Sequence, residues 1–203
     1  MTDEVLPPGG GEAHAAITEV LANVAMDEGT LSYFRSLFRE SDRGAVLISA
    51  TRLEEKLELL HRAHIEQKVA EPKKLLEELF RPYAPLSSFS AKIQLAHAYG
   101  LIDAEDYADL NIIRKIRNDA AHTSVEFSFE PNDICQRITH LKAPSRMIPL
   151  LSLMTEMFST EELSELKGPK VAQAHPKMYY IIACLALETR IVSTTGRVTV
   201  ADD

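Results

Sequence analysis

The chain has 203 residues, of which 45% are hydrophobic and 26% are charged, values typical of a soluble globular protein with one domain. Its formal net charge is -8, so its overall field opposes nucleic acid, and binding to DNA or RNA would require a local basic patch. Two cysteines that lie far apart in the sequence argue against a disulfide scaffold and a zinc site. The acidic, turn-rich N-terminus argues against a signal peptide, and together these features favour a cytoplasmic location.

Helical periodicity dominates the chain from Ala15 onward and predicts an all-α fold, a multi-helix bundle with one long central helix. Residues 1–13 are predicted to be a flexible tail, because prolines and glycines interrupt regular structure there. One helical domain is predicted over 14–193, followed by a loose tail with room for a short strand over 194–203. The predicted helices cover residues 15–26, 31–40, 43–69, 73–80, 90–99, 103–122, 132–141, 145–158, 161–166 and 171–192, with an extended piece at 123–131.

The longest predicted helix carries an apolar seam that must pack on other helices. Its length is roughly 40 Å at a rise of about 1.5 Å per residue. Glu58, His61 and His64 share one face of it, which could supply metal ligands, but one helix rarely completes a metal site. Because His64 falls on the seam, we expect a core histidine there and no metal or cofactor. The seam follows a 4-3-4-3-4 spacing through Val46, Ala50, Leu53, Leu57, Leu60 and His64.

A cluster of polar residues lies near the end of the predicted helix 103–122. Arg117 follows Leu110 and Ile113 on the stripe that faces the core. A half-buried guanidinium needs acceptors, and the long helix offers three glutamates. The first interpretation is structural: Arg117 pairs with a glutamate, while Asn118 and His122 satisfy the helix C-terminus. The predicted polar cluster consists of Arg114, Arg117, Asn118, His122, Glu54, Glu55 and Glu58.

The second interpretation of the same cluster is chemical. RNA cleavage without a metal asks for a base for the 2′-OH and a cation for the developing phosphorane. In this alternative the catalytic residues are Arg117, Asn118 and His122. His122 transfers the proton, Arg117 stabilises the phosphate and Asn118 orients them. The spacing by itself is a weak signal, since an arginine and a histidine five residues apart often occur by chance.

Three ordered blocks between Arg43 and Phe129 carry a family resemblance: RGAVLISATRLEEKLELLHRAHI, PLSSFSAKIQLAHAYGLI and DLNIIRKIRNDAAHTSVEFSF. Together they resemble the mannitol operon repressor family. That family in turn resembles the HEPN group of helical bundles, many of which carry an Arg-polar-x3-His motif that the ribonucleases among them use across a dimer interface. Arg117, Asn118 and His122 match this motif. The resemblance implies a HEPN-like bundle, a homodimer and a bacterial transcriptional regulator.

A repressor invites a search for a helix-turn-helix, and the best candidate runs from Ala91 to Leu110. Its second helix would present Asp103, Glu105, Asp106 and Asp109 to the phosphates, and their charge would oppose entry into a groove. We therefore interpret this segment as two core helices joined by a glycine turn, and we expect no direct DNA binding. The primary hypothesis is a non-enzymatic regulator acting through a protein partner; the alternative is the metal-independent ribonuclease.

Overall fold

The computed structural model describes residues 28–146 and 169–200, and every regular element in those ranges is an α-helix, which confirms the predicted all-α class. The predicted tail 1–13, the helices 15–26 and 161–166 and most of the helix 145–158 lie outside the described residues. In chain order the helices are α1 (Glu28–Arg39), α2 (Asp42–Lys68), α3 (Pro72–Phe80), α4 (Phe89–Ala98), α5 (Ala104–His122), α6 (Asn132–Thr139), α7 (Ala143–Arg146), α8 (Pro169–Ala174) and α9 (Pro176–Val200).

Helix α2 is the central rod of the bundle, and α9, α5 and α4 pack around it. It begins where the Ser41 hydroxyl accepts a hydrogen bond from the Gly44 amide at 3.1 Å. The predicted core position of His64 is wrong, since this side chain is only half-buried. His61 is buried instead, because α4 covers its side of the helix. The other predicted seam positions are confirmed as buried: Val46, Ala50, Leu53, Leu57 and Leu60.

Helices α4 and α5 are joined by a turn that requires a glycine. Gly100 has a φ of 68°, in the left-handed region that side chains with a Cβ avoid. Helix α5 then begins where the Asp103 carboxylate accepts hydrogen bonds from the amides of Glu105 and Asp106, at 2.9 and 2.8 Å. The prediction of two core helices around a glycine turn is confirmed. The residues by which α5 enters the core are Leu110, Ile113, Ile116 and Ala120.

The C-terminal region differs from the prediction in two ways. The single helix expected over 171–192 is broken at His175, where Pro176 begins α9. The loose tail expected from residue 194 is wrong up to Val200, because α9 continues and Val198 packs against the core. Tertiary packing thus overrides the poor helix propensity of the threonines and glycine there. Across the two described ranges, no helix has both the length and the apolar character to cross a membrane.

Candidate functional site

The predicted polar cluster lies along the C-terminal half of α5, beside the stripe that enters the core. Arg117 is half-buried, and its Nη1 donates a hydrogen bond to Asn118 Oδ1 at 3.3 Å. Arg114 Nε donates to Asn111 Oδ1 at 3.4 Å. His122 is exposed at the last residue of the helix, and its ring has no hydrogen-bond partner among the described residues. Arg117 and Asn118 are therefore in contact, while the His122 side chain remains open to solvent.

Two of the three glutamates predicted to pair with Arg117 have a different partner. Lys92, on α4, places its Nζ 3.2 Å from Glu54 Oε1 and 3.1 Å from Glu58 Oε2. Glu55 is exposed and forms no ion pair with a described residue. The predicted ion pair of Arg117 is therefore wrong, because α4, rather than α5, supplies the cation to this face of α2. A signal for this was present in the sequence: Lys92 interrupts the apolar pattern of the α4 helix.

The contacts around Lys92 form a buried polar network that joins α2 to α4. Burial acts to raise the pKa of Glu58, but hydrogen bonds from Arg62 and Lys92 outweigh it and hold that pKa below its ordinary 4.5. Burial lowers the pKa of His61 below its ordinary 6.5, so the ring is neutral at pH 7. His61 Nε2 lies 2.8 Å from the Lys92 carbonyl oxygen, which assigns Nε2 as the donor.

A second network, which the sequence analysis missed, links α1, α2 and α9. Arg52 Nε donates to both carboxylate oxygens of Glu188, at 2.7 and 2.9 Å, and Glu188 is only 5% exposed. Lys56 Nζ lies 3.8 Å from the same carboxylate. The Arg52 guanidinium stacks over the Tyr33 ring at 4.1 Å from its centroid. Sequence spacing could not reveal a pair whose members lie more than 130 positions apart.

The segment after α5 is tied to the start of α2 by two side chains. Arg43 Nη2 donates to the carbonyl oxygens of Thr123 and Val125, at 3.1 and 2.5 Å. Asp42 Oδ2 accepts from the Phe129 amide at 3.1 Å. These contacts position the loop that follows His122, and they hold it without any strand partner among the described residues.

Three acidic residues that would oppose DNA in a helix-turn-helix serve as structural groups instead. Asp106 accepts hydrogen bonds from Arg190 Nε at 3.0 and 2.9 Å, which ties α5 to α9. Asp103 also accepts from Arg190, at 2.7 Å. Asp109 accepts from the Lys142 and Ala143 amides, so it caps the start of α7.

Among the described residues, a cleft of about 480 Å³ lies beside the junction of α8 and α9. The Asp42–Lys177 ion pair, 3.3 Å between its atoms, lies in its wall, so the two charges satisfy each other. Within residues 28–146 and 169–200, no group of three histidine, cysteine, aspartate or glutamate side chains is arranged to hold a metal ion. The cleft and the described histidine, cysteine and acidic side chains therefore identify no metal or cofactor site in this part of the chain.

Comparison with known proteins assigns the family. The family model described as the mannitol repressor, MtlR, matches residues 38–178. No curated protein matches the chain significantly. The X-ray structure of the MtlR-HPr complex from Escherichia coli contains a chain of similar fold, with a TM-score of 0.50 and 16% identity over 92% of this chain and 99% of that one. The chain belongs to the mannitol repressor family.

Proposed function

We propose that this chain is a transcriptional regulator that acts through a protein partner and does not itself bind DNA. The observation that carries the proposal is the acidic first half of α5, the helix that would have to enter the major groove. Its stripe through Leu110 and Ile113 is fully buried in the core. Its acidic residues are engaged by Arg190 and by the start of α7. A helix α5 that entered the groove would keep this stripe in the core and would present its acidic first turn to the phosphates, which would repel it.

The partner we propose is HPr, because the solved structure of similar fold is a complex of MtlR with HPr. Titration of the purified chain with HPr from the same organism, followed by calorimetry, tests this. Saturable binding at a fixed stoichiometry is expected. The absence of heat and of co-migration on a sizing column, at concentrations well above micromolar, would refute HPr as the partner.

The proposal about DNA has a separate test. Gel-shift titration of operator DNA with the isolated chain should show only weak binding, because the chain carries a net charge of -8. Tight, sequence-selective binding whose affinity falls steeply with salt would overturn it. We further propose that the protein works in the cytoplasm as a homodimer.

The ribonuclease remains the second candidate, and the exposure of His122 favours it. A proton-transfer group must reach its substrate, and this ring is at the surface, one helical turn beyond Arg117 and Asn118. This function predicts cleavage of end-labelled RNA, but not of single-stranded DNA, in the presence of EDTA. His122→Ala should abolish the cleavage. His140→Ala, which changes another exposed histidine, should leave it intact. Equal cleavage by both variants, or none by the parent chain, would exclude this function.

A further inference from the structure

Helix α2 carries a second row of side chains on the side opposite its core seam. We call this row, which consists of Ile48, Arg52, Glu55 and Leu59, the outer row. Ile48 and Leu59, at the two ends, are 42% and 52% exposed, although both are large and apolar. At about 100° per residue the four side chains fall within an arc of about 60°, and their 4-3-4 spacing is that of a helix-packing seam.

The two charged members of the outer row are available for a partner. Arg52 is fixed through Nε by Glu188 and through its face by Tyr33, but its terminal nitrogens donate no hydrogen bond to a described residue. A guanidinium held in this way presents a rigid fork to a carboxylate at little entropic cost. Glu55 lies one turn away with no ion pair to a described residue, so a free donor and a free acceptor are adjacent.

We propose that two copies of this chain dimerise by packing the outer rows of their α2 helices antiparallel about a two-fold axis. In this register Arg52 meets Glu55 of the partner subunit, and the same pair recurs across the axis. Ile48 meets Leu59 of the partner subunit, also twice. The row is thus complementary to itself, as an isologous interface requires. This inference rests on the proposed homodimer, whose interface it names, and does not depend on the identity of the protein partner.

Charge opposes two competing arrangements, the second of which is the one that the ribonuclease candidate would use. A parallel pairing of the same rows would set Arg52 against Arg52 and Glu55 against Glu55, which is repulsive at both levels. A two-fold axis through the end of α5 would bring together Arg114, Lys115 and Arg117 from both copies. Neither arginine there is bonded to a described carboxylate, so that surface would repel its own copy.

The contact between two outer rows is small. The outer row extends about 16 Å along α2, at about 1.5 Å per residue. A helix face of this length buries less than the roughly 800 Å² per partner of a standard stable interface. A contact of this size is typical of a weak or transient dimer, whose dissociation can be followed by dilution.

Sedimentation equilibrium of the full chain over a range of concentrations tests the interface. The wild type should approach twice the 22.6 kDa chain mass as its concentration rises. Glu55→Arg should remain at the monomer mass with an unchanged melting temperature, because Glu55 is exposed and unpaired in the described structure. Glu77→Arg makes the same charge change on an exposed residue of α3 and should dimerise like the wild type. A wild type that stays monomeric, or a Glu55→Arg dimer, would overturn the proposal.

Disulfide trapping tests the register. Two variants, Ile48→Cys and Leu59→Cys, are each made with Cys135→Ser, since Cys135 is the less buried native thiol. A covalent dimer should form when the two are mixed under mild oxidation, and should be scarce when either is oxidised alone. Equal cross-linking of Ile48→Cys by itself would indicate the parallel arrangement and refute the proposed one.

These experiments separate the interface from the proposed function. They use the isolated chain, so a monomer would refute both the outer-row interface and the proposed homodimer, and would leave the binding of HPr untouched. Loss of HPr binding by a chain that still dimerises would count against the partner and leave the interface standing.

Discussion

Lys92 offers the sharpest test of how the bundle is held together. Lys92→Met keeps the length of the side chain but removes the cation that Glu54 and Glu58 share. Breaking a buried ion pair by removing one partner costs about 3–5 kcal/mol. The Glu54 and Glu58 side chains are 18% and 29% exposed, so water screens part of this charge. Arg62, 2.8 Å from Glu58, compensates for another part.

The expected loss is therefore about 2–3 kcal/mol of unfolding free energy at pH 7. For a chain of this size, that lowers the melting temperature by roughly 5–10 °C. Urea denaturation and calorimetry would measure both quantities. The matched control is Lys74→Met, whose ion pair with Glu78 is 3.9 Å long and joins side chains that are 87% and 55% exposed; it should cause no measurable change.

The same variant has a pH signature. The folded pKa of Glu58 is held below 4.5, so its contribution to stability is present above that pH and is lost as the pH falls through the folded pKa. The difference between wild type and Lys92→Met should therefore be full at pH 7 and shrink as the pH falls through the folded pKa of Glu58, where that carboxylate becomes neutral. A variant as stable as the wild type at pH 7, or a difference that does not shrink in acid, would refute this account of the network.

Three further predictions concern single residues. Burial lowers the pKa of His61, so the stability that the neutral ring contributes is present above pH 6.5 and is lost as the pH falls below that value. Chemical denaturation at pH 7.5 and 5.5 should show this loss of stability in the wild type and a smaller loss in His61→Gln. Gly100→Ala should cost about 1 kcal/mol in urea titrations, from φ strain alone, since no atom lies within 4 Å of the added Cβ; an unchanged midpoint would contradict this. Asp109→Asn should cost about 1–3 kcal/mol, because it removes the charge that accepts from the amides of Lys142 and Ala143 and puts an NH2 group, which cannot accept, in place of one carboxylate oxygen; hydrogen exchange at those amides should rise, and unaltered exchange would count against the cap.

The sequence was informative wherever a local rule decides the structure. The 4-3-4-3 seam from Val46 to Leu60 predicted the face by which α2 enters the core, since helical period alone selects that face. Gly100 and Asp103 predicted the turn and the start of α5, because the left-handed backbone and the N-cap are properties of single residues. The three ordered blocks led to the family that the family model identifies.

Only the tertiary structure decided which charges meet. The sequence predicted that Arg117 pairs with a glutamate of α2, but Glu54 and Glu58 face α4 and pair with Lys92. The Arg52–Glu188 pair and the continuation of α9 to Val200 were likewise invisible to local rules. Helix period fixes the direction of a side chain around its own axis, but not which neighbouring helix lies in that direction. The sequence contains the self-complementary order of the outer row. Only the folded bundle shows that this row is exposed and that the seam on the opposite side of α2 is buried.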